Sequence, residues 1–109
     1  MDIAEPLPIR SYGIAPDPSS QAYLAERVDG KLGKFAQHIQ GLEIHMKRTG
    51  EAGDEPLVSC ALDVTLKGGV RLAVERTALA AREAFDHAMG VAERLVRRTL
   101  QHQRHQTQS

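Results

Sequence analysis

The hydrophobic periodicity of this chain changes twice, and that change restricts the fold more than any other feature. Residues 42–46, 58–66 and 70–74 alternate apolar and polar side chains, which predicts three strands that each have one wet face. Before and after them, apolar side chains recur at spacings of three and four, as they do on one face of a helix. The first helical stripe consists of Leu24, Val28, Leu32, Phe35 and Ile39. The second lies between residues 78 and 100.

Turn and capping residues separate these segments. Residues 7–14 read as a short first strand, Asp17 and Pro18 form a helix-start signal, and Gly41 is expected to end the first helix. Lys67, Gly68 and Gly69 predict a tight hairpin, and residues 49–55 form a longer acidic loop. Thr77 is the expected cap of the final helix. Both loops favour antiparallel neighbours.

The predicted order is therefore strand, helix, three strands, helix. A sheet with one apolar face needs cover, and two amphipathic helices provide it, so we expect an α+β two-layer sandwich with both helices on one face of a four-stranded sheet. Residues 1–109 suffice for a single domain, with an ordered core of about residues 7–103. The expected buried residues are Leu24, Val28, Leu32, Phe35, Leu62, Val64, Phe85, Ala88 and Leu95.

Composition argues against several classes of protein. Net charge is zero, and no apolar run approaches the ~18 to 20 residues that span a bilayer, so no membrane association is expected. The N-terminal residues lack a basic segment followed by an apolar one, which favours a cytoplasmic location. Cys60, the one cysteine, is typical of a reducing compartment, and its alternation with Val58 and Leu62 predicts a buried packing residue.

Signs of catalysis or of a metal centre are weak. The sequence has no Gly-rich phosphate loop and no GxSxG or HExxH motif, so we expect no enzyme, cofactor or small-molecule substrate. His45 and Asp63 point to the open face of the sheet and are close enough to meet, but such cross-strand pairs are common. His102 and His105 are three residues apart, and a solvated tail explains them better than a metal site.

Basic residues are segregated on the two helices. Arg27, Lys31, Lys34 and His38 fall beside the first apolar stripe, whereas Glu26 and Asp29 point elsewhere. The final helix carries a second ridge, flanked by Arg97 and Arg104, that consists of His87, Arg94, Arg98 and His105. Two such ridges can follow a phosphate backbone, although solvated helix faces and dipole complementation also explain them.

The order and spacing of the elements, together with several short sequence segments, resemble the family of the ribosome-associated inhibitor and hibernation-promoting factors, also called sigma-54 modulation proteins. The resemblance runs from about residue 9 to residue 103. It is carried by the proline-started helix at 17–18 and residues 23–28 and 31–35, by the Gly-Gly-Val hairpin at 68–70, and by 84–86 and 92–95. In this family an acidic residue and a tyrosine usually stand just before the Ala-Ile/Phe pair of the last helix, and residues 80–83 depart from that pattern.

This resemblance implies a β-α-β-β-β-α fold similar to a double-stranded RNA-binding domain. It also implies a non-enzymatic stress factor that binds the RNA of the small ribosomal subunit and blocks the channel for messenger and transfer RNA. We expect a monomer rather than an obligate oligomer. The family's basic contact residues map to Arg27, Lys31, Lys34, Lys47, Arg48, Arg94, Arg97 and Arg98.

Two other functions compete with ribosome binding. One is a protein-interaction adaptor of the same fold that uses the open sheet face, where Tyr12, His45, Asp63 and Arg71 are expected. The other is a small enzyme that uses His45 and Asp63. Dependence on RNA separates ribosome binding from both.

Overall fold

The predicted order of elements is confirmed. The structure, a computed structural model, describes residues 9–13, 18–49 and 57–108. Four strands, two α-helices and one short 3-10 helix follow one another as β1 Ile9–Gly13, α1 Pro18–Leu32, the 3-10 helix Gly33–His38, β2 Ile39–Thr49, β3 Leu57–Leu66, β4 Arg71–Ala78 and α2 Ala81–Gln108. Pro18 begins α1, as the sequence indicates, since proline at the first helical position lacks only an N–H that would have no helical partner. Asp17, the expected cap, lies outside the described residues.

The sheet has the strand order β1-β2-β3-β4, with β1 parallel to β2 and the other neighbours antiparallel. Helix α2 contacts β3 and β4, and α1 packs beside α2. Leu24 and Val28 of α1 share one core with Leu42 and Ile44 of β2. Both helices therefore cover the same face of the sheet, which confirms the predicted α+β two-layer sandwich.

Most of the predicted core is buried, including Phe85, Leu62 and Val64, all 0% exposed. Two predictions are wrong in degree. Phe35 and Leu95 are only half-buried and pack against the edge of the core. Phe35 lies in the 3-10 helix rather than in α1, and this tighter winding takes its side chain away from the α1 stripe.

The first helix ends earlier than the sequence indicates. Its α-helical part stops at Leu32, and Ile39 and Gly41 belong to β2. Ile39 continues the helical spacing from Phe35, but it pairs with Leu66 of β3, and the β2–β3 register shifts between Ile39 and Gly41. Because cross-strand pairing satisfies the backbone of this apolar segment, the sheet takes residues that periodicity assigned to the helix.

The last helix also differs at both ends. Thr77 is not its cap, because β4 continues to Ala78 and Thr77 pairs with Ser59 of β3. Helix α2 begins at Ala81, and the N–H of Ala84 donates to the Ala80 carbonyl over 3.0 Å. It continues to Gln108, beyond the apolar stripe between residues 78 and 100 from which it was predicted.

The hairpin between β3 and β4 forms as predicted. Gly68 and Gly69 have φ angles of +102° and +97°, a region that favours glycine. The Leu66 N–H donates to the Val70 carbonyl over 2.7 Å, and the Lys67 N–H donates to the His38 carbonyl over 2.9 Å. The turn is thus tied to the end of the 3-10 helix. The expected strand residues 7, 8 and 14 and the acidic loop at 50–55 lie outside the described residues.

Candidate nucleic-acid interface

Two carboxylates of α2 point across the helical layer towards α1. Asp86 and Glu93 are seven residues apart, or about two helical turns, and therefore lie on one side of α2. Asp86 accepts hydrogen bonds from the Tyr23 hydroxyl over 2.5 Å and from Arg27 Nε over 3.1 Å. Each of these contacts joins residues about 60 positions apart in the sequence. These two hydrogen bonds fix the middle of α1 against α2.

Glu93 gathers three cations. Lys34 Nζ donates to Glu93 Oε2 over 2.5 Å, and Lys31 Nζ lies 3.9 Å from Glu93 Oε1. Arg97, one turn further along α2, places Nη2 3.4 Å from Glu93 Oε2. The hydrogen bond from Lys34 lowers the pKa of Glu93, with help from the charges of Lys31 and Arg97 and against the opposing effect of burial.

We call this row the helix seam; it consists of Tyr23, Arg27, Lys31, Lys34, Arg82, Asp86, Glu93 and Arg97. Arg82 stacks over the Tyr23 ring at 4.4 Å from the ring centroid. The hydrogen bond to Asp86 raises the pKa of Tyr23, so the hydroxyl remains a donor at neutral pH.

Cations outnumber carboxylates in the helix seam by five to two. The side chain of Glu93 is only 16% exposed, whereas those of Lys34 and Arg97 are 48% and 47% exposed. The carboxylate therefore lies below its cations, and the outer side of the cationic groups faces solvent. Three donors on each ammonium and five on each guanidinium leave capacity for an anionic partner.

The predicted site residues separate into three groups, which lie in the helix seam, on α2 outside the seam, and at the end of β2. Arg27, Lys31, Lys34 and Arg97 meet in the helix seam. Arg94 and Arg98 are exposed on α2 outside these contacts, and Arg94 lines a shallow hollow with Arg76 of β4. The side chains of Arg104 and His105 lie outside the described residues.

The strand-end residues do not join the helical cations as one group. Lys47 and Arg48 are both exposed near the end of β2. Because strand side chains alternate, Arg48 shares the helix-covered side with buried Ile44 and Met46, and Lys47 points to the opposite face. Lys47 therefore does not extend the cationic surface of the helices.

An open-sided cavity of about 450 Å³ lies at one end of the helix seam, between the 3-10 helix and the later turns of α2. It is lined by Lys34, Phe35, His38, Arg97, Leu100, Gln101 and Gln103. Among the side chains that the structure describes, no acidic residue lines the cavity, and Phe35 supplies a half-buried aromatic ring. Phosphate and base chemistry fit such a lining, since cations bind phosphates and bases stack on aromatic rings.

Sequence reasoning found the basic ridges but missed the acids that organise them. Asp86 and Glu93 were noted only as members of the segments that resemble the family, and Arg76 and Arg82 were not singled out. The spacing of Asp86 and Glu93, about two helical turns, indicates that both acids share one side of the helix. Their partners follow only from the register of α1 against α2.

The uncovered face of the sheet carries a separate polar cluster. His45 Nε2 lies 3.2 Å from Glu43 Oε1 and 3.8 Å from Asp63 Oδ2, so the predicted proximity of His45 and Asp63 is confirmed. Ser59 Oγ donates to Glu75 Oε2 over 3.1 Å on the same face. The side chain of Tyr12 lies outside the described residues, although its backbone pairs with His45.

Cys60 is fully buried, as predicted, and burial raises its pKa to about 12. The thiol is thus protonated at neutral pH, which suits a packing role. Within the described part of the chain, no helix combines the length and apolar character that crossing a bilayer requires.

The fold defines a class of small α+β domain, and solved structures share it. The Thermus thermophilus Protein Y N-terminal domain superposes with a TM-score of 0.65 at 18% identity, covering 85% of this chain and 97% of that one. A ribosomal subunit interface protein from Coxiella burnetii gives the same TM-score and coverage at 14% identity. At such identities the likeness establishes the fold. No curated protein sequence matches the chain.

Membership of a family follows from the sequence itself. Residues 8–104 match the profile of the family described as sigma 54 modulation protein / S30EA ribosomal protein. The match covers most of the chain, and the chain belongs to this family. The resemblance inferred from the residues is therefore confirmed, and ribosome association is the class of function that the family supports.

Proposed function

We propose that this protein binds the small ribosomal subunit through the outer surface of its helical layer and blocks the channel used by messenger and transfer RNA. The observation that carries the proposal is the surplus of half-exposed cations along the helix seam in a chain of this family. The action is steric and electrostatic, requires no catalysis or cofactor, and is that of a monomeric cytoplasmic stress factor.

Charge distribution supports RNA binding despite a net charge of zero. Residues 1–8, 14–17 and 50–56 contain six of the fourteen acidic residues and no lysine or arginine. The other segments of the sequence, 9–13, 18–49 and 57–109, therefore contain all fourteen basic residues and eight acidic ones. Because the positive charge is concentrated in these segments, they attract a polyanion, and the counterions that the polyanion releases favour binding.

The helix seam also provides positional order for phosphate contacts. Arg27 and Lys34 are held by Asp86 and Glu93, so these long side chains lose little conformational freedom when a phosphate binds. The carboxylates thus play a positioning role. They lower the local charge but keep the cations in one row.

The cavity at the end of the helix seam supports a further contact. Lys34 and Arg97 border it and Phe35 lies in its wall, a combination suited to an unstacked RNA base and its phosphate. Shape and phosphate recognition, with few base contacts, fits a protein in which the described aromatic side chains form no stacking platform.

Co-sedimentation with purified ribosomal subunits tests the proposal. We expect the protein to pellet with small subunits and not with large subunits, and to be released as salt rises from 50 mM to 300 mM. Addition of messenger RNA and initiator transfer RNA should reduce binding, because they occupy the same channel. The absence of co-sedimentation at 50 mM salt would refute ribosome binding and favour the adaptor function.

A further inference from the structure

The cluster on the uncovered sheet face combines three metal-binding side chains from two adjacent strands. Glu43 and His45 lie two residues apart on β2 and therefore share one face, and Asp63 of β3 is the direct cross-strand partner of Glu43. One donor atom from each side chain lies within 4.8 Å of the other two. All three side chains are about 36% to 43% exposed, so an ion reaches them from solvent.

Two carboxylates on this sheet face repel each other, and a bound cation would remove the repulsion. Glu43 and Asp63 are directly opposite each other, and like charges at such positions destabilise a strand pair. Arg10 is the β1 partner of Glu43, on the side away from Asp63. A divalent ion between the two carboxylates would neutralise both at once.

The donor distances agree with a small ion of tetrahedral preference. With metal–ligand bonds of about 2.0 to 2.1 Å, a tetrahedral site has neighbouring ligand atoms about 3.3 Å apart. The Nε2 atom of His45 lies 3.2 Å from Glu43 Oε1 and 3.8 Å from Asp63 Oδ2, so small rotations of exposed side chains close the site. A mixed imidazole and carboxylate set favours Zn²⁺, Co²⁺ or Ni²⁺ over Mg²⁺ or Ca²⁺.

We propose that Glu43, His45 and Asp63 form a binding site for a divalent transition metal ion, with Zn²⁺ as the best fit. Three protein ligands leave the fourth position to water or to a group on a partner. The bound ion links β2 to β3 and stabilises the central strand pair. This site differs from the sequence-based expectation, which considered only histidines near the C-terminal end and predicted no metal.

The metal site is independent of the proposed ribosome interface. It lies on the sheet face that the helices leave uncovered, whereas the helix seam lies on the outer side of the helical layer. Metal binding is therefore expected whether or not the protein binds ribosomes, and each proposal can fail without the other.

Titration of the full chain with Co²⁺ tests the site, because tetrahedral Co²⁺ has an intense visible absorption. We expect one equivalent to bind, Zn²⁺ to displace it, and calorimetry with Zn²⁺ to give the same stoichiometry. Each of the variants Glu43→Gln, His45→Ala and Asp63→Asn should weaken Zn²⁺ binding by about tenfold or more. Thermal unfolding of the wild-type protein should shift upwards with Zn²⁺, and that of His45→Ala should not.

Two controls identify the ligands. His38→Ala removes an exposed histidine at the end of the 3-10 helix, and Glu75→Gln removes a carboxylate of the same sheet face outside the cluster. Both should bind Zn²⁺ as the wild type does. The proposal is wrong if wild-type protein binds no Zn²⁺ at millimolar concentration, if binding survives in all three cluster variants, or if His38→Ala abolishes it. Circular dichroism of each variant establishes that it is folded before titration.

Discussion

Replacing Glu93 by glutamine should weaken the fold and strengthen RNA binding at the same time. The amide has nearly the same shape and its oxygen still accepts a hydrogen bond from Lys34, so the cations keep their positions. The substitution removes only the negative charge that Lys31, Lys34 and Arg97 share. A phosphate on the outer side of Lys34 would lie about 7 Å from the Glu93 carboxylate, where repulsion is about 0.6 kcal/mol at the dielectric constant of water. Without this repulsion, Glu93→Gln should bind small subunits roughly threefold more tightly than wild type at low salt, with less effect at high salt.

The same substitution weakens an ion-pair network in which the cations are 35% to 48% exposed. For such pairs we expect a loss of about 1 kcal/mol in the free energy of unfolding, or roughly 4 to 8 °C in Tm for a domain of this size. Urea denaturation measures the first effect and subunit binding at several salt concentrations measures the second. Glu75→Gln, which removes a carboxylate from the uncovered sheet face, is the matched control and should leave binding unchanged.

The pH dependence of stability gives an independent view of the same residue. The pKa of Glu93 is lower in the folded than in the unfolded protein, so its contribution is complete above the ordinary glutamate pKa. That contribution is lost as pH falls through the lower, folded-state value. The difference in stability between wild type and Glu93→Gln should therefore shrink on acidification. If Glu93→Gln binds subunits more weakly although it remains folded, our reading of the helix seam is wrong.

Two further substitutions test binding and packing separately. Joint replacement of Lys31 and Lys34 by alanine should lower the slope of log affinity against log salt concentration by roughly 1.4 to 1.8. When salt rises from 50 to 200 mM, the fold-loss of affinity should therefore be roughly ten times smaller for the double variant than for wild type. The protein should remain folded, and joint replacement of Glu26 and Asp29 by alanine should leave binding intact or slightly stronger; equal losses from both pairs would indicate an interface without RNA. Cys60→Ser should cost roughly 1 to 3 kcal/mol of stability by burying a hydroxyl. Subunit binding by its folded fraction should persist, and full stability with lost binding would contradict a packing role for the thiol.

The order of elements could be predicted because strand and helix periods differ throughout the chain, but element boundaries could not. Ile39 illustrates the reason, since it continues the helical spacing of Leu32 and Phe35 yet belongs to β2. Its partner Leu66 is distant in sequence, and local periodicity contains no information about that pairing. Thr77 is similar, because a capping residue and a strand residue look alike until the length of β4 is known.

The candidate site was predictable in its cations and not in its arrangement. Helical geometry places Arg27 and Lys31 on one side of α1 from spacing alone. Their attachment to Asp86 and Glu93 depends on how two distant helices pack, which the sequence does not specify locally. The cluster of Glu43, His45 and Asp63 likewise needs the β2–β3 register, which turns a histidine and aspartate pair into a set of three ligands.

Directed hydroxyl-radical cleavage of ribosomal RNA tests most directly whether the helical layer faces the small subunit. An iron chelate is attached to a new cysteine in Glu83→Cys, on the exposed side of α2 and outside the helix seam and the cavity, or in Ala73→Cys, on the uncovered sheet face. The buried thiol of Cys60, with its pKa raised to about 12, should not react with the label. We expect the Glu83→Cys probe to cut small-subunit RNA along the messenger and transfer RNA channel, with much weaker cleavage from Ala73→Cys. Stronger cleavage from Ala73→Cys, or cleavage of large-subunit RNA alone, would contradict binding of the small subunit through the helical layer.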